Sequence, residues 1–375
     1  MSTETLEDPS VKPPTPLPSQ GIEFEQFADA VTFGEDALLA SSEYDYATAK
    51  AHALFIAWCP TFIPTLATHD VLEVESEFSF PLLNPESEAP SKTFVEAGKI
   101  DGVLRHRASG VIKTLEHKTT SDSIAPESNY WPRLIMDAQP SKYILSLQHR
   151  GVVATSALYN VVSKPSQRPK GIPLLDDEGR KIVLDAEGHR VWTKDGKKPR
   201  ESGSPSEGYF LQTREETPEE YHLRLFTEMR QAPADYFAQR EIPRQNHALL
   251  EYMEDAWALS QQILYFRRSN LWPRNPSACT QFGTCEFFDL CSGRASVDGI
   301  RYAKKPKRHA ELETLENGKE FLTNSRLSAL RKCSRYHFLR YEEPVQPVKE
   351  ENEALRIGSA FHVAVEAFLK TFLVK

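Results

Sequence analysis

Cysteine is scarce in this chain. Five thiols in 375 residues are too few for the disulfide framework of a small secreted fold. A surplus of positive charge is missing as well. Asp plus Glu is 53 against 45 for Lys plus Arg, a net of −8, which excludes binding to nucleic acid by bulk charge in the manner of a histone. An acidic balance still allows a nucleic-acid enzyme, whose site must be acidic to hold metal. No apolar run approaches the ~20 residues that cross a bilayer, so no membrane association is expected. The first twenty residues, MSTETLEDPSVKPPTPLPSQ, lack the basic and apolar stretches of a secretory signal. The expected compartment is the reducing cytoplasm. What is present, 40% apolar and 26% charged residues, is enough to bury a core in one large domain or two.

Five prolines among polar residues make 1–20 read as a disordered leader. Residues 21–292 form the main unit. Its first part, 21–68, has helix-forming composition and is expected to stop at Pro60. The period then changes to two. Residues 71–82 alternate, and 93–120 read as two strands around Ala108-Ser109-Gly110. A helix is expected near 129–149, closed by Gly151, and a strand over 152–162. This order predicts an α/β fold with a mixed sheet under helical cover. Residues 164–208 are a Pro-, Gly- and Lys-rich insertion with the echo DDEGRKIVL, DAEGHRVWT, KDGKK, read as a β-hairpin excursion. Residues 215–270 read as helical, opened by the cap-like Thr217-Pro218-Glu219-Glu220. Residues 293–320, with a KKPKRH run, read as a linker, and 321–375 as a helical block.

The sharpest constellation is Asp101 followed by Glu116-His117-Lys118. Glu116 and Lys118 are two apart on a strand and share a face. With Asp101 on the strand before, two carboxylates and one ammonium can meet in one patch. Hard oxygen ligands of this kind suit Mg²⁺ or Mn²⁺. Such an ion lowers the pKa of a water and neutralises a phosphate oxygen, while Lys118 orients the attacking water. Gln139 and Tyr143, one helical turn apart, share a face as well. Glu75 lies on the preceding strand, where a solvated strand face is the plainer account.

Asp101, Glu116-His117-Lys118-Thr119-Thr120 and Gln139-Pro140-Ser141-Lys142-Tyr143 together resemble the ordered motifs of PD-(D/E)XK nucleases of the RecB-like branch. The resemblance implies a restriction-endonuclease-like core and a metal-dependent DNA nuclease, commonly an exonuclease of recombination, repair or phage replication. It would work on DNA ends or single strands, in a host's cytoplasm if phage-encoded, beside a helicase or recombination partner. It implies catalytic roles for Asp101, Glu116, Lys118, Gln139 and Tyr143, with Asp101, Glu116, the His117 carbonyl and a further histidine on the metal. Aromatic and basic residues of the insertion and its exit (Lys194, Lys197, Lys198, Arg200, Tyr209, Phe210 and Arg214) could line a strand path, or a solvated loop.

Cys279, Cys285 and Cys291 form a helical cysteine-cluster segment, 279–291, at equal short spacing. Three thiolates need a fourth ligand, and soft sulfur selects Zn²⁺ or an iron–sulfur cluster. The triple is similar to the C-terminal set of the iron–sulfur members of the branch, the AddB and CRISPR-associated types, which implies a [4Fe–4S] cluster with zinc as the alternative. Cys59 and Cys333 are the candidates for the fourth thiol. The setting of Cys333, in Ser325-Arg326-Leu327-Ser328-Ala329-Leu330-Arg331-Lys332-Cys333, resembles the helix that opens the family's domain. Gly358 and His362 then resemble its Gly-x-x-x-His motif, whose His is a metal ligand. The motif order is thus permuted: 321–375 either folds back onto this core or begins a second copy. A catalytically inactive DNA-binding or assembly module on a sulfur-ligated scaffold is the alternative to an enzyme.

Overall fold

A computed structural model describes residues 24–40, 43–281, 283–297, 299–305, 309, 312, 318–348 and 353–374. The leader assigned to 1–20 lies outside them. Two helices come first, α1 (Phe24–Leu39) and α2 (Tyr46–Thr68). Contrary to expectation, α2 runs through Pro60 and Pro64. The two prolines lie four apart on its less buried side, so the carbonyls they leave unpaired are not sealed in the core. Phe55, Trp58, Phe62 and Leu66 on the other side are at most 2% exposed, and their burial holds the helix together across the breaks. By length and composition α2 could cross a membrane, which the sequence reading had not noticed, but 61% of its apolar window is buried inside the protein.

The alternating segments then form β1 (His69–Leu83), β2 (Pro90–His106) and β3 (Ile112–Thr120). Gly110, at φ +71°, turns β2 into β3. The single helix expected near 129–149 is two, α3 (Tyr130–Ile135) and α4 (Gln139–His149), with Asp137 between them. The next strand is β4 (Ala154–Ser163). The insertion and its exit carry β5 (Gly171–Pro173), β6 (Val183–Leu184), β7 (Phe210–Leu211) and β8 (Thr213–Glu215), paired β5–β8 and β6–β7.

Helix α5 (Pro218–Gln231) opens with the expected capping box, in which Thr217 and Glu220 bond each other's backbone N–H. The helical stretch expected over 215–270 is interrupted by β9 (Phe237–Pro243) before α6 (Asn246–Ser269). Its residues Gln239, Arg240 and Glu241 give no apolar signal because the strand lies at a sheet edge. Next come α7 (Phe288–Cys291) and β10 (Tyr302–Lys304). The C-terminal block holds β11 (Glu320–Leu322), α8 (Asn324–Lys332), α9 (Ser334–His337), a π turn over Phe338–Glu342, β12 (Val345–Pro347) and α10 (Glu353–Lys370). The block is therefore not wholly helical, and the 293–320 segment, where described, is not only a linker: β10 pairs with β12.

The protein is mixed α/β, with a mainly antiparallel central sheet flanked by helices. Strand order is β1-β2-β3-β4-β9, with β11 on a second stretch of β2. Among the described strands of this sheet, only β3–β4 and β2–β11 pair in parallel. One face carries α1, α2, α5 and α10 around Trp58, Leu115, Val162, Phe361 and Phe368. Packed with the other are α4 and α6, around Ile100, Tyr143, Ile144 and Leu249. The C-terminal block belongs to this same core. Phe321 and Leu322 pair with Val95 and Glu96, and the buried Lys142 ammonium donates to the Leu322 carbonyl and pairs with Glu96 at 2.7 Å. Arg326, 1% exposed, pairs with Glu320 and Glu342, which also share Arg267.

Candidate active site

The β2–β3 hairpin does what its alternation requires. Gly102 pairs with Leu115, so Asp101 lies beside Glu116 at the edge of the antiparallel ladder. Asp101 Oδ2 accepts the His117 backbone N–H at 2.8 Å, which fixes the carboxylate against the next strand. Glu116 is 2% exposed. Its Oε1 lies 2.6 Å from Lys118 Nζ, and its buried Oε2 has no hydrogen-bond partner. Lys118 Nζ also donates to Gln139 Oε1 at 2.8 Å, and Gln139 Nε2 bonds the Tyr143 hydroxyl. The one-turn spacing of Gln139 and Tyr143 on α4 thus builds a chain from the strand lysine to a buried tyrosine.

Two residues, one discounted and one not singled out, complete the acidic cluster. Glu75 stands opposite Asp101, between the pairs Val74–Gly102 and Ser76–Ile100. Its backbone is at φ +51°, an uncommon conformation for a non-glycine residue. It is largely buried against Lys99 at 2.6 Å, not on a solvated face. Asp137 lies 3.8 Å from Lys118, caps the Gln139 N–H and accepts the Tyr159 hydroxyl. An Asp two residues before Gln-Pro at a helix start was the available signal for it.

The electrostatics follow from burial. Desolvation, then the neighbouring Glu116 and Glu75, push the Asp101 carboxyl well above its usual range. Burial raises Glu116 as well, against the pull of Lys118. Burial disfavours the Lys118 charge, but Glu116 and Asp137 outweigh it and raise its pKa. Buried acids that repel one another, one with an orphan oxygen, beside a firmly cationic lysine form a site that a hard cation would relieve.

His117 and His362 belong to the other helix layer. The His117 ring lies against Trp58 and Phe62, with Asn160 on its Nδ1 at 2.8 Å. His362, on α10, brings its ring to 6.2 Å from that of His117. Burial and then Lys118 pull its pKa down to about 4, so it is neutral at pH 7. A Cβ on Gly358 would meet Thr119 Oγ1 at 3.0 Å; glycine is what lets α10 lie so close to β3. Among the described residues, no hydrogen bond joins His362 to Asp101 or Glu116, and no three His, Cys, Asp or Glu residues are gathered as they stand to hold a metal ion.

The four cysteines of the second expectation meet. Cys279, Cys285, Cys291 and Cys333 line one concavity of about 380 Å³, its open part included, with Arg274 and Lys332. Asn275 N–H donates to Cys333 Sγ at 3.3 Å. Cys59 is elsewhere, 1% exposed within α2 and the main core. In the insertion, Arg214 is held by Glu220 at 2.6 Å, and Arg200 by Glu207 and the Tyr209 ring, so both are already committed. Lys194, Lys197 and Lys198 are exposed.

Comparison of the chain with protein-family models, with curated proteins and with solved structures finds no match.

Proposed function

We propose that the chain is a metal-dependent deoxyribonuclease, an exonuclease of recombination, repair or phage replication, on a restriction-endonuclease-like core of the RecB-like type. The carrying observation is the buried Asp101–Glu116 pair, with the orphan Glu116 Oε2 next to Lys118. Asp101, Glu116 and the His117 carbonyl would hold the cation, and neutral His362 could offer a ring nitrogen from α10. A bound Mg²⁺ or Mn²⁺ supplies Lewis-acid chemistry, activating a water and neutralising phosphate charge. The protein's own groups do the rest. His117 N–H keeps the Asp101 carboxylate turned towards β3. Lys118, kept cationic, does not act as a base; it positions water and offsets negative charge on the phosphate. Gln139 and Tyr143 hold that ammonium in place.

The cysteine concavity is assigned a [4Fe–4S] cluster, with zinc as the alternative. Its four thiols are soft donors, and Arg274 and Lys332 beside them offset thiolate charge. The role is structural: it ties residues 279–291 to α8 and α9. DNA is the substrate, the cytoplasm the compartment and a helicase or recombinase the fitting partner.

The test is digestion of end-labelled single- and double-stranded DNA with Mg²⁺ or Mn²⁺. Lys118→Met should lower the rate about 10²–10³-fold. Equal cleavage by both proteins refutes the assigned site, and tight DNA binding with no cleavage by the wild type favours the inactive-module reading.

A further inference from the structure

A second concavity, of about 1450 Å³ with its open part included, lies where α2 and α10 begin. Helices of 23 and 18 residues both present their N-termini there, the ends that carry partial positive charge. Lys50 is the decisive residue. It is 8% exposed, it lines the concavity, and its ammonium lies 5.8 Å from the Tyr221 ring. Among the described residues it has no hydrogen-bond acceptor and no ion-pair partner. The stem of the side chain is buried, and the unpartnered ammonium is turned towards the open space.

The surrounding charges do not cancel it. Burial lowers the Lys50 pKa; Glu353, exposed at the start of α10, acts against this, and Arg168 and Lys164 reinforce it. Arg168 is exposed and has no carboxylate partner among the described residues. Among the described residues, Lys164 Nζ donates only to the Ala354 carbonyl, at 3.2 Å. Of the two acids among the described residues that line the concavity, Asp45 is taken by Arg356 and by capping Thr48 N–H, which leaves Glu353 beside Lys50, Lys164 and Arg168.

The concavity adjoins the acid site along two elements. Ser121 in its wall is three residues past Lys118, about 10 Å of strand. Ile357, also in the wall, is five residues before His362, about 7.5 Å of helix. At about 3.4 Å of axis per nucleotide, this is two or three steps of a strand.

We infer that Lys50, Lys164 and Arg168 form a phosphate subsite that grips the backbone of a nucleic-acid strand two or three nucleotides from the bond at Asp101 and Glu116. The inference rests on the nuclease reading for its substrate, but its test needs no cleavage.

Fluorescein-labelled 12-nucleotide single-stranded DNA is titrated in EDTA with full-length wild type, Lys50→Met, Arg168→Gln and the control Lys92→Gln, at an exposed lysine of β2, across a range of NaCl. Circular dichroism checks the fold of each. Arg168 is exposed, so its variant reports even if Lys50→Met fails to fold. Arg168→Gln should weaken binding about tenfold and flatten the log affinity–log salt slope by about 0.7, with Lys92→Gln unchanged. Unaltered slope and affinity in folded Arg168→Gln overturn the subsite. Displacement of the DNA by inorganic phosphate at concentrations where chloride has no effect marks a free phosphate ligand and overturns the strand assignment. If Mg²⁺ and Mn²⁺ give no cleavage while Arg168→Gln still flattens the slope, the nuclease reading fails and the subsite stands.

Discussion

The acid site and the cysteine concavity are built in opposite ways. Asp101, Glu116 and Lys118 sit on long ladder-bonded strands, and each is tied to a neighbour, Asp101 to His117 N–H and Lys118 to Glu116 and Gln139. Their arrangement exists without a ligand, and what it stores is repulsion between buried carboxylates. The thiols sit on a four-residue 3-10 turn, Pro276–Cys279, on the loop that follows it (Cys285), on the four-residue α7 and at the junction of α8 and α9. Elements that short do not hold themselves, and their sulfurs make contacts as weak as Cys279 Sγ to the Asn275 carbonyl at 3.7 Å. In the first region a ligand would relieve charge; in the second it would supply order.

The contrast breaks most visibly in activity. Lys118→Met should abolish most of the hydrolysis and, by leaving the buried Glu116 without its counter-ion, cost about 3–5 kcal/mol in a denaturant melt, with no change in metal content at the cysteines. Cys285→Ala should act on the other region. Iron, or zinc, is lost together with several kcal/mol of stability, read by metal analysis and a denaturant melt. Anaerobically purified wild type should be brown, with a broad band near roughly 400 nm, and a colourless protein with stoichiometric zinc removes the iron assignment.

Glu96→Gln leaves the buried Lys142 without its counter-ion and should cost about 3–5 kcal/mol, testing how firmly β11 is anchored. Gly358→Val forces a side chain against Thr119 and should cost about 1–3 kcal/mol, with activity falling further than stability if His362 works from α10. The smallest effect is in acid. Burial opposes the Glu320 charge, but Arg267 and Arg326 outweigh it and pull its carboxyl from 4.5 down to about 2. A depressed carboxyl stabilises above its unfolded pKa, and that share is lost as pH falls from about 4.5 to about 2. Glu320→Gln should flatten that part of the stability–pH curve and lower the plateau above it.

Much of the acid site was legible because strand alternation and a tight turn force it: once 93–120 is a hairpin, Asp101 and Glu116 must be neighbours. Glu75 was misjudged because period two cannot say which neighbour covers a face. Strand β9 was hidden because an edge strand needs few apolar residues, and β11 because three residues have no period. Lys50 lies in an alanine-rich helix and reads as a solvated lysine; only the packing of α2 against α5 and α10 reveals its isolation. The meeting of Cys333 with the other three thiols depends on contacts across more than forty residues, which no local pattern encodes.

The parallel pairing of β11 with β2 and the seating of α10 on β3 have a consequence for biosynthesis. Asp101 leaves the ribosome roughly 260 residues ahead of His362, a delay of roughly 13–50 s at ordinary elongation rates. During that interval the nascent polypeptide exposes an unpaired stretch of β2 and an unroofed β3. It is then vulnerable to aggregation, and a product truncated before α10 lacks the last proposed ligand.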